Sequence, residues 1–183
     1  MQNPFTTTFS KTPEYTYIHT EKILENFIYD NPSESVYKIT GVRGSGKTVI
    51  LAKAGFGSQD KKTTGIDEVS KSEEMVKFAS EYGRWLRAGY PVYFVCTGLY
   101  ENIQELSNVK NLTFFRRAAT VKTEPLNMIR MTEMYKSKLD IDSDEAREMA
   151  KITKGYAYAF QELGVLCFKK KAGESLKDIL MNI

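Results

Sequence analysis

The chain has little cysteine and almost no histidine: two cysteines and one histidine among 183 residues. Two thiols cannot build a multi-bridge framework, and Cys96 and Cys167 both lie in apolar stretches that suit buried, reduced side chains. His19 has no ligand-spaced partner nearby, so a metal site built on side-chain nitrogen or sulfur is not expected. Long apolar runs are missing too. No stretch approaches the roughly 20 residues that cross a bilayer, and Met1–Ser10 lacks the basic-then-apolar order of a secretion signal. The cytoplasm is therefore the expected compartment, with no membrane contact. Charge of one sign is also scarce: 26 basic against 23 acidic residues leave +3, too small a bias to argue for nucleic acid. The short run Lys169-Lys170-Lys171 is either a solvated helix end or a phosphate contact. Such a chain is long enough to bury a real core as one domain, or as a compact core with a small appendage.

Against this plain background one segment is specific. Residues 41–48 read Gly-Val-Arg-Gly-Ser-Gly-Lys-Thr, which is the phosphate-loop (Walker A) pattern of Gly, four free positions, then Gly-Lys and a hydroxyl residue. Glycines let successive backbone N–H groups turn inward around an anion, Lys47 can reach the terminal phosphates, and the Thr48 hydroxyl can ligate magnesium. The flanks agree with that reading. Residues 35–40 predict a strand running into the loop and residues 48–54 a helix leaving it, so the positive end of the helix aims at the phosphates. The candidate nucleotide-binding residues are Gly41, Arg43, Gly44, Ser45, Gly46, Lys47, Thr48 and Val49.

The remainder of the chain alternates strand and helix signals and then turns wholly helical. Residues 3–15 are rich in threonine, proline and aromatic residues and predict an extended arm. His19 to Tyr29 carries apolar residues at helical spacing and stops at Asp30-Asn31-Pro32. After a polar turn over 55–62 comes Thr63-Thr64-Gly65-Ile66-Asp67-Glu68. This offers an acidic pair where a strand should end beside the phosphates, Asp67 to hold magnesium and Glu68 to polarise the attacking water, yet its strand is too polar for a sheet centre. Ser72 caps a helix with Glu73 and Glu74 in its first turn, and the helix ends near Gly89.

Pro91 to Gly98 is an unbroken apolar run, the best candidate for a strand buried on both faces. Thr97 closes it. At the carboxyl end of a central strand this hydroxyl either meets the terminal phosphate or attacking water, or simply ends the strand. Arg116 and Arg117, just before a short strand over 119–122, are either a charge-stabilising pair for a transferring phosphoryl group or a surface pair. Beyond Pro125 the pattern predicts helices over 128–139, over 143–153 capped at Ser143 and stopped at Gly155, and over 156–171, with Tyr156, Phe160, Leu163 and Cys167 on one packed side. One or two further turns are expected over 174–183. The expected division is a phosphate-loop α/β core over 1–124, with the arm 1–17, and a small all-helical lid over 125–183.

The arm, the Gly-Val-Arg-Gly-Ser-Gly-Lys-Thr loop, Ile66-Asp67-Glu68-Val69-Ser70, the segment Val95 to Asn102 and Thr153-Lys154-Gly155-Tyr156-Ala157 together resemble AAA+-like ATPases of the STAND and archaeal type. That resemblance implies a parallel-sheet core, ATP and Mg2+ as ligands, and an active or partner-dependent ATPase. It implies Lys47 and Thr48 on phosphate and magnesium, Asp67 as the second magnesium residue, Glu68 as catalytic base and Thr97 as a sensor. Arg116 or Arg117 would act on a neighbour's nucleotide in a homo-oligomer or a complex with a protein partner. Two departures stand out. Only nineteen positions separate Lys47 from Asp67, so a strand is missing, either by true deletion or because residues near 57–61 are left out. If deleted, it is the edge strand beside the acidic strand, which would itself become the edge. The sequence also ends after the lid, whereas similar proteins continue into a winged helix, so DNA would be met only through a domain not contained in these residues. No arginine stands at 154–156 to provide a lid sensor. A small phosphate-loop kinase and a non-catalytic nucleotide switch or shortened remnant remain as alternatives.

Overall fold

Five consecutive residues, Val36–Thr40, are all buried and form β1, the strand that feeds the loop. The computed structural model describes residues 3–8, 36–53, 62–110, 112–170 and 175–181; the helix expected over 19–29 and most of the turn over 55–62 lie outside them. After β1 come α1 (Lys47–Lys53), β2 (Lys62–Ile66), α2 (Glu73–Arg87), β3 (Val92–Gly98), α3 (Tyr100–Ser107), α4 (Thr113–Arg117) and β4 (Ala119–Lys122). All pairings are parallel and the order is β2-β3-β1-β4. The apolar runs thus occupy the centre, where both faces must be covered. Among the described strands β2 lies at an edge, and its Thr64 and Gly65 are exposed. Its polar sequence, a poor fit to a sheet centre, suits that position.

Alternation along the strands sorts the core into two layers. Val36, Phe94 and Cys96 face Met75, Ala79 and Tyr82 of α2, Ile103 and Leu106 of α3, and Phe115 of α4. Tyr37, Ile39, Tyr93 and Val95 face Ile50 and Leu51 of α1 on the other side. Phe94 is fully buried, and its truncation to alanine would cost about 3 to 5 kcal/mol. Helix α2 starts where its chemistry says it should: the Ser72 side chain accepts from the Met75 N–H at 3.1 Å, and Gly89, with φ 78°, takes the left-handed conformation just past its end. One buried cation interrupts the apolar layer. Lys38 donates from Nζ to the Phe115 carbonyl at 2.8 Å and lies over the Phe115 ring, and burial draws its pKa down.

The remaining residues form a second unit, 1–17 with 125–183, distinct from 18–124. Here α5 (Met128–Leu139), α6 (Ser143–Thr153), α7 (Ala157–Phe168) and α8 (Leu176–Met181) surround Met131, Tyr135, Met149, Phe160 and Leu163. Asn127 caps α5. The cap of α6 is Asp142, whose carboxylate accepts from the Asp144 and Glu145 N–H groups, and Ser143 is the first helical residue instead of the cap expected of it. Asp142 wins because its carboxylate is also favoured by the helix dipole. The packed side of α7 is narrower than its spacing predicts: Phe160 and Leu163 are buried, whereas Tyr156 is exposed and Cys167 half-buried.

The arm residues 3–8, grouped with the core on sequence grounds, pack instead among these helices. Phe5 is 3% exposed, its ring 5.6 Å from Tyr135 and 5.8 Å from Phe160. A Cβ on Gly164 would fall 2.4 Å from that ring, so α7 needs a glycine there for Phe5 to enter. The Thr6 N–H donates to Gln161 Oε1 at 2.9 Å.

Candidate phosphate-binding site

The loop is built as its sequence demands. Strand β1 ends at Thr40, α1 begins at Lys47, and between them Gly44 and Gly46 hold φ of 72° and 87°, conformations that glycine adopts without a Cβ clash. Val49 lies in the first turn of α1, and the Ile50 N–H bonds back to the Gly46 carbonyl at 3.0 Å, so the free N–H groups of that turn point towards the loop. Lys47 is 6% exposed. Its Nζ donates to the Gly41 and Val42 carbonyls at 2.9 and 2.8 Å, which holds the ammonium across the loop. Burial pulls its pKa below the ordinary lysine value; Asp67 and then Glu68 oppose that shift, and Arg43 adds to it.

The acidic pair meets the loop at the carboxyl edge of the parallel strands, where ligands bind in open α/β sheets. Thr48 Oγ1 donates to Asp67 Oδ2 at 2.6 Å, and Thr97 Oγ1 donates to Asp67 Oδ1. The Thr97 hydroxyl in turn accepts from the Glu68 N–H at 3.2 Å, and the Thr97 carbonyl accepts from the Val69 N–H at 2.8 Å. Thr97 is fully buried. Its hydroxyl bonds are to the acidic pair. Glu68 itself takes φ 51°, a left-handed conformation that costs a non-glycine residue on the order of 1 to 3 kcal/mol and is concentrated at functional sites. The structure therefore brings Lys47, Thr48, Asp67, Glu68 and Thr97 into one constellation.

A cavity of about 130 Å³ opens beside it, lined by Arg43, Lys47, Glu68, Ser70, Leu99 and Asn102. Asn102 was visible in the sequence only as part of a longer segment. Its signal is positional, a polar side chain in the first turn of a helix that follows a central strand. Arg116 and Arg117 are placed elsewhere. The register pairs Tyr37 with Ala119 and Thr40 with Lys122, so both arginines precede the amino end of β4 while the loop follows the carboxyl end of β1. Roughly 10 Å of strand, at about 3.3 Å per residue, lies between the Tyr37–Ala119 and Thr40–Lys122 levels. Within the 18–124 unit the two arginines are not brought to the loop, and Arg116 Nε donates to the Ser107 carbonyl at 3.3 Å.

Among the described residues no group of three or more His, Cys, Asp or Glu side chains could hold a metal by itself. Magnesium needs less, since it commonly takes one carboxylate and shares the rest of its shell with water and phosphate oxygens. The Thr48 hydroxyl and the Asp67 carboxylate, already within hydrogen-bond distance of each other, fit that requirement.

The sequence matches no known family profile and no curated protein. In fold it is similar to the crystal structure of Cdc6p from Pyrobaculum aerophilum, with a TM-score of 0.53 at 14% identity, over 87% of this chain and 63% of that one. The chain thus spans less than two thirds of the length of that protein. At this identity the likeness concerns the fold alone: a parallel sheet with flanking helices. No described helix is long and apolar enough to cross a membrane.

Proposed function

We propose that this chain binds ATP with Mg2+ and hydrolyses it slowly, or at full rate only when a neighbouring subunit or partner completes the site, using nucleotide state as a conformational switch. The observation that carries this is the meeting of Lys47 and Thr48 with Asp67 and Glu68, four side chains from two segments whose chemistry is that of phosphoryl transfer. The loop N–H groups and Lys47 would hold the terminal phosphates. Magnesium bound by Thr48 and Asp67 would neutralise charge as it develops on the phosphoryl oxygens. Glu68 would take a proton from water in the adjoining cavity, and Thr97 keeps the acidic pair in register with the loop. Adenine is carried over from the family resemblance. Arg116 and Arg117, at the end of α4 and away from this chain's own loop, are left for action on a second chain's nucleotide, which makes homo-oligomerisation, or a protein partner, part of the proposal.

A second reading, a nucleotide-dependent switch without hydrolysis, draws on the left-handed backbone at Glu68, a distortion within the acidic pair. The small-kinase alternative is less favoured: residues 125–183 contain two arginines for closing over phosphate, Arg130 and Arg147, and Arg147 pairs with Asp144 at 3.4 Å. Calorimetric titration of Mg-ATP into the purified chain, followed by phosphate release from the same sample, tests the proposal. Binding with release supports the ATPase, binding without release the switch or a site that awaits a partner, and no binding removes them all.

A further inference from the structure

Thr123, one residue past β4, is bonded both to the end of β1 and to the phosphate loop. Its N–H donates to the Thr40 carbonyl at 2.8 Å, which extends the β4–β1 ladder beyond Lys122 and fixes the side chain over the start of the loop. From there Oγ1 donates to Ser45 Oγ at 2.8 Å. The same oxygen lies so near Gly41 that a Cβ on that glycine would come within 1.9 Å of it, and within 2.7 Å of Ser45 Oγ. Gly41 is not among the residues with positive φ; the close approach of Thr123 is what demands glycine there. Ser45 is thus tied to the sheet through one hydroxyl side chain, which also packs closely over Gly41.

That arrangement has a consequence for binding. Ordering one backbone residue costs about 1 to 2 kcal/mol, and a loop ordered beforehand spares the ligand that cost. A glycine-rich loop has more freedom to lose than most, so an anchor at Ser45 matters more here than in an ordinary turn. We propose that Thr123 is a positioning residue for the phosphate loop: its hydroxyl, through Ser45, pre-organises the backbone N–H cradle and so sets nucleotide affinity. This rests on the ATP-binding reading above, but the ordering of the loop can be measured without nucleotide.

The test compares wild type with Thr123→Val, which keeps shape and removes the hydroxyl, and Thr123→Ser, which keeps the hydroxyl. Hydrogen exchange over residues 41–47 is followed without nucleotide, melting temperature is recorded as a control, and Mg-ATP affinity is measured by calorimetry. Thr123→Val should exchange faster at Ser45 and Gly46 and bind Mg-ATP roughly three- to tenfold more weakly, as loss of one net hydrogen bond predicts. Thr123→Ser should stay within about twofold of wild type in both. Unchanged loop exchange in Thr123→Val overturns the inference, and so does an equal loss in both variants, which would mean that the methyl group matters and the hydroxyl does not. Faster exchange with unaltered affinity overturns the link to binding. A wild-type chain that orders its loop through Thr123 yet fails to bind Mg-ATP overturns the nucleotide reading and leaves the loop anchor supported.

Discussion

Thr48 Oγ1 donates to Asp67 Oδ2 at 2.6 Å, so the first turn of the helix leaving the loop is bonded to the residue that follows the edge strand. Asp67 is the nineteenth residue after Thr48, and with the Thr97 hydroxyl on the other carboxylate oxygen the aspartate joins three segments. Hydrogen bonds to a charged group contribute about 1.5 to 3 kcal/mol each. Asp67 is therefore both a structural clasp and the carboxylate of the proposed magnesium site.

Asp67→Asn separates those roles. The amide still fits the space and can accept one hydroxyl, so the chain should fold with a loss of about 1 to 3 kcal/mol. Magnesium-dependent phosphate release should fall roughly a hundredfold, in line with losing one charge stabiliser of a transition state. A magnesium titration of ATPase rate decides it; an unshifted magnesium dependence would remove Asp67 from the metal site.

Lys47→Ala should lower Mg-ATP affinity beyond calorimetric detection, because it removes the one cation held across the loop by the Gly41 and Val42 carbonyls. Retention of wild-type affinity would contradict the proposed phosphate site.

Glu68 allows two substitutions to be read against each other. Glu68→Gln keeps the left-handed backbone and removes the base, so ATP should bind and persist unhydrolysed. Glu68→Gly also removes the base but relieves the φ 51° conformation, and it should raise the unfolding free energy relative to Glu68→Gln by about 1 kcal/mol. Urea denaturation measures the difference. If the glycine variant is no more stable, the backbone at 68 stores no strain.

How far this site could be read from sequence depends on the range of the interaction. Ser72 and the loop glycines act on their own neighbours, so cap and loop were legible. The burial of β3 followed from its unbroken apolar run, and the place of β2 at an edge among the described strands agrees with the expectation that held if its neighbour is deleted. Helix α3 went unrecognised because its cap, Leu99, supplies no side-chain bond to announce a start. Thr123 was invisible for another reason: its partner Ser45 is 78 positions away, and nothing local marks a threonine that ends a strand as an anchor for a loop. The same holds for Phe5, whose place among the helices depends on a glycine far along the chain.

Cys96 gives the alkaline limb of stability a testable shape. Burial pushes its thiol from the ordinary 9.0 up to about 12, with the Lys38 ammonium opposing. In the unfolded chain the thiol ionises near its ordinary value, whereas the folded chain keeps it neutral to higher pH. Its stabilising share is thus complete below pH 9 and is lost as pH rises towards about 12. Tyr82 and Tyr135 are also raised by burial and steepen the same limb in any variant that keeps them. Cys96→Ala should therefore lose stability less steeply than wild type above about pH 9, and parallel curves from urea titrations would rule out the buried thiol as a contributor.

Phe5 carries the last expectation, about which unit the arm serves. Its ring is enclosed by Tyr135 and Phe160 and seated on Gly164, all in the helical unit. Phe5→Ala should destabilise that unit by about 3 to 5 kcal/mol, the range for emptying a buried aromatic site. Gly164→Ala should act in the same direction by driving a Cβ into the ring. Because the two units have separate cores, hydrogen exchange should rise in α5 and α7 and stay low in β1 and β3. Faster exchange in the central strands with protected helices would instead make the arm a brace of the α/β core, as its place in the sequence first suggested.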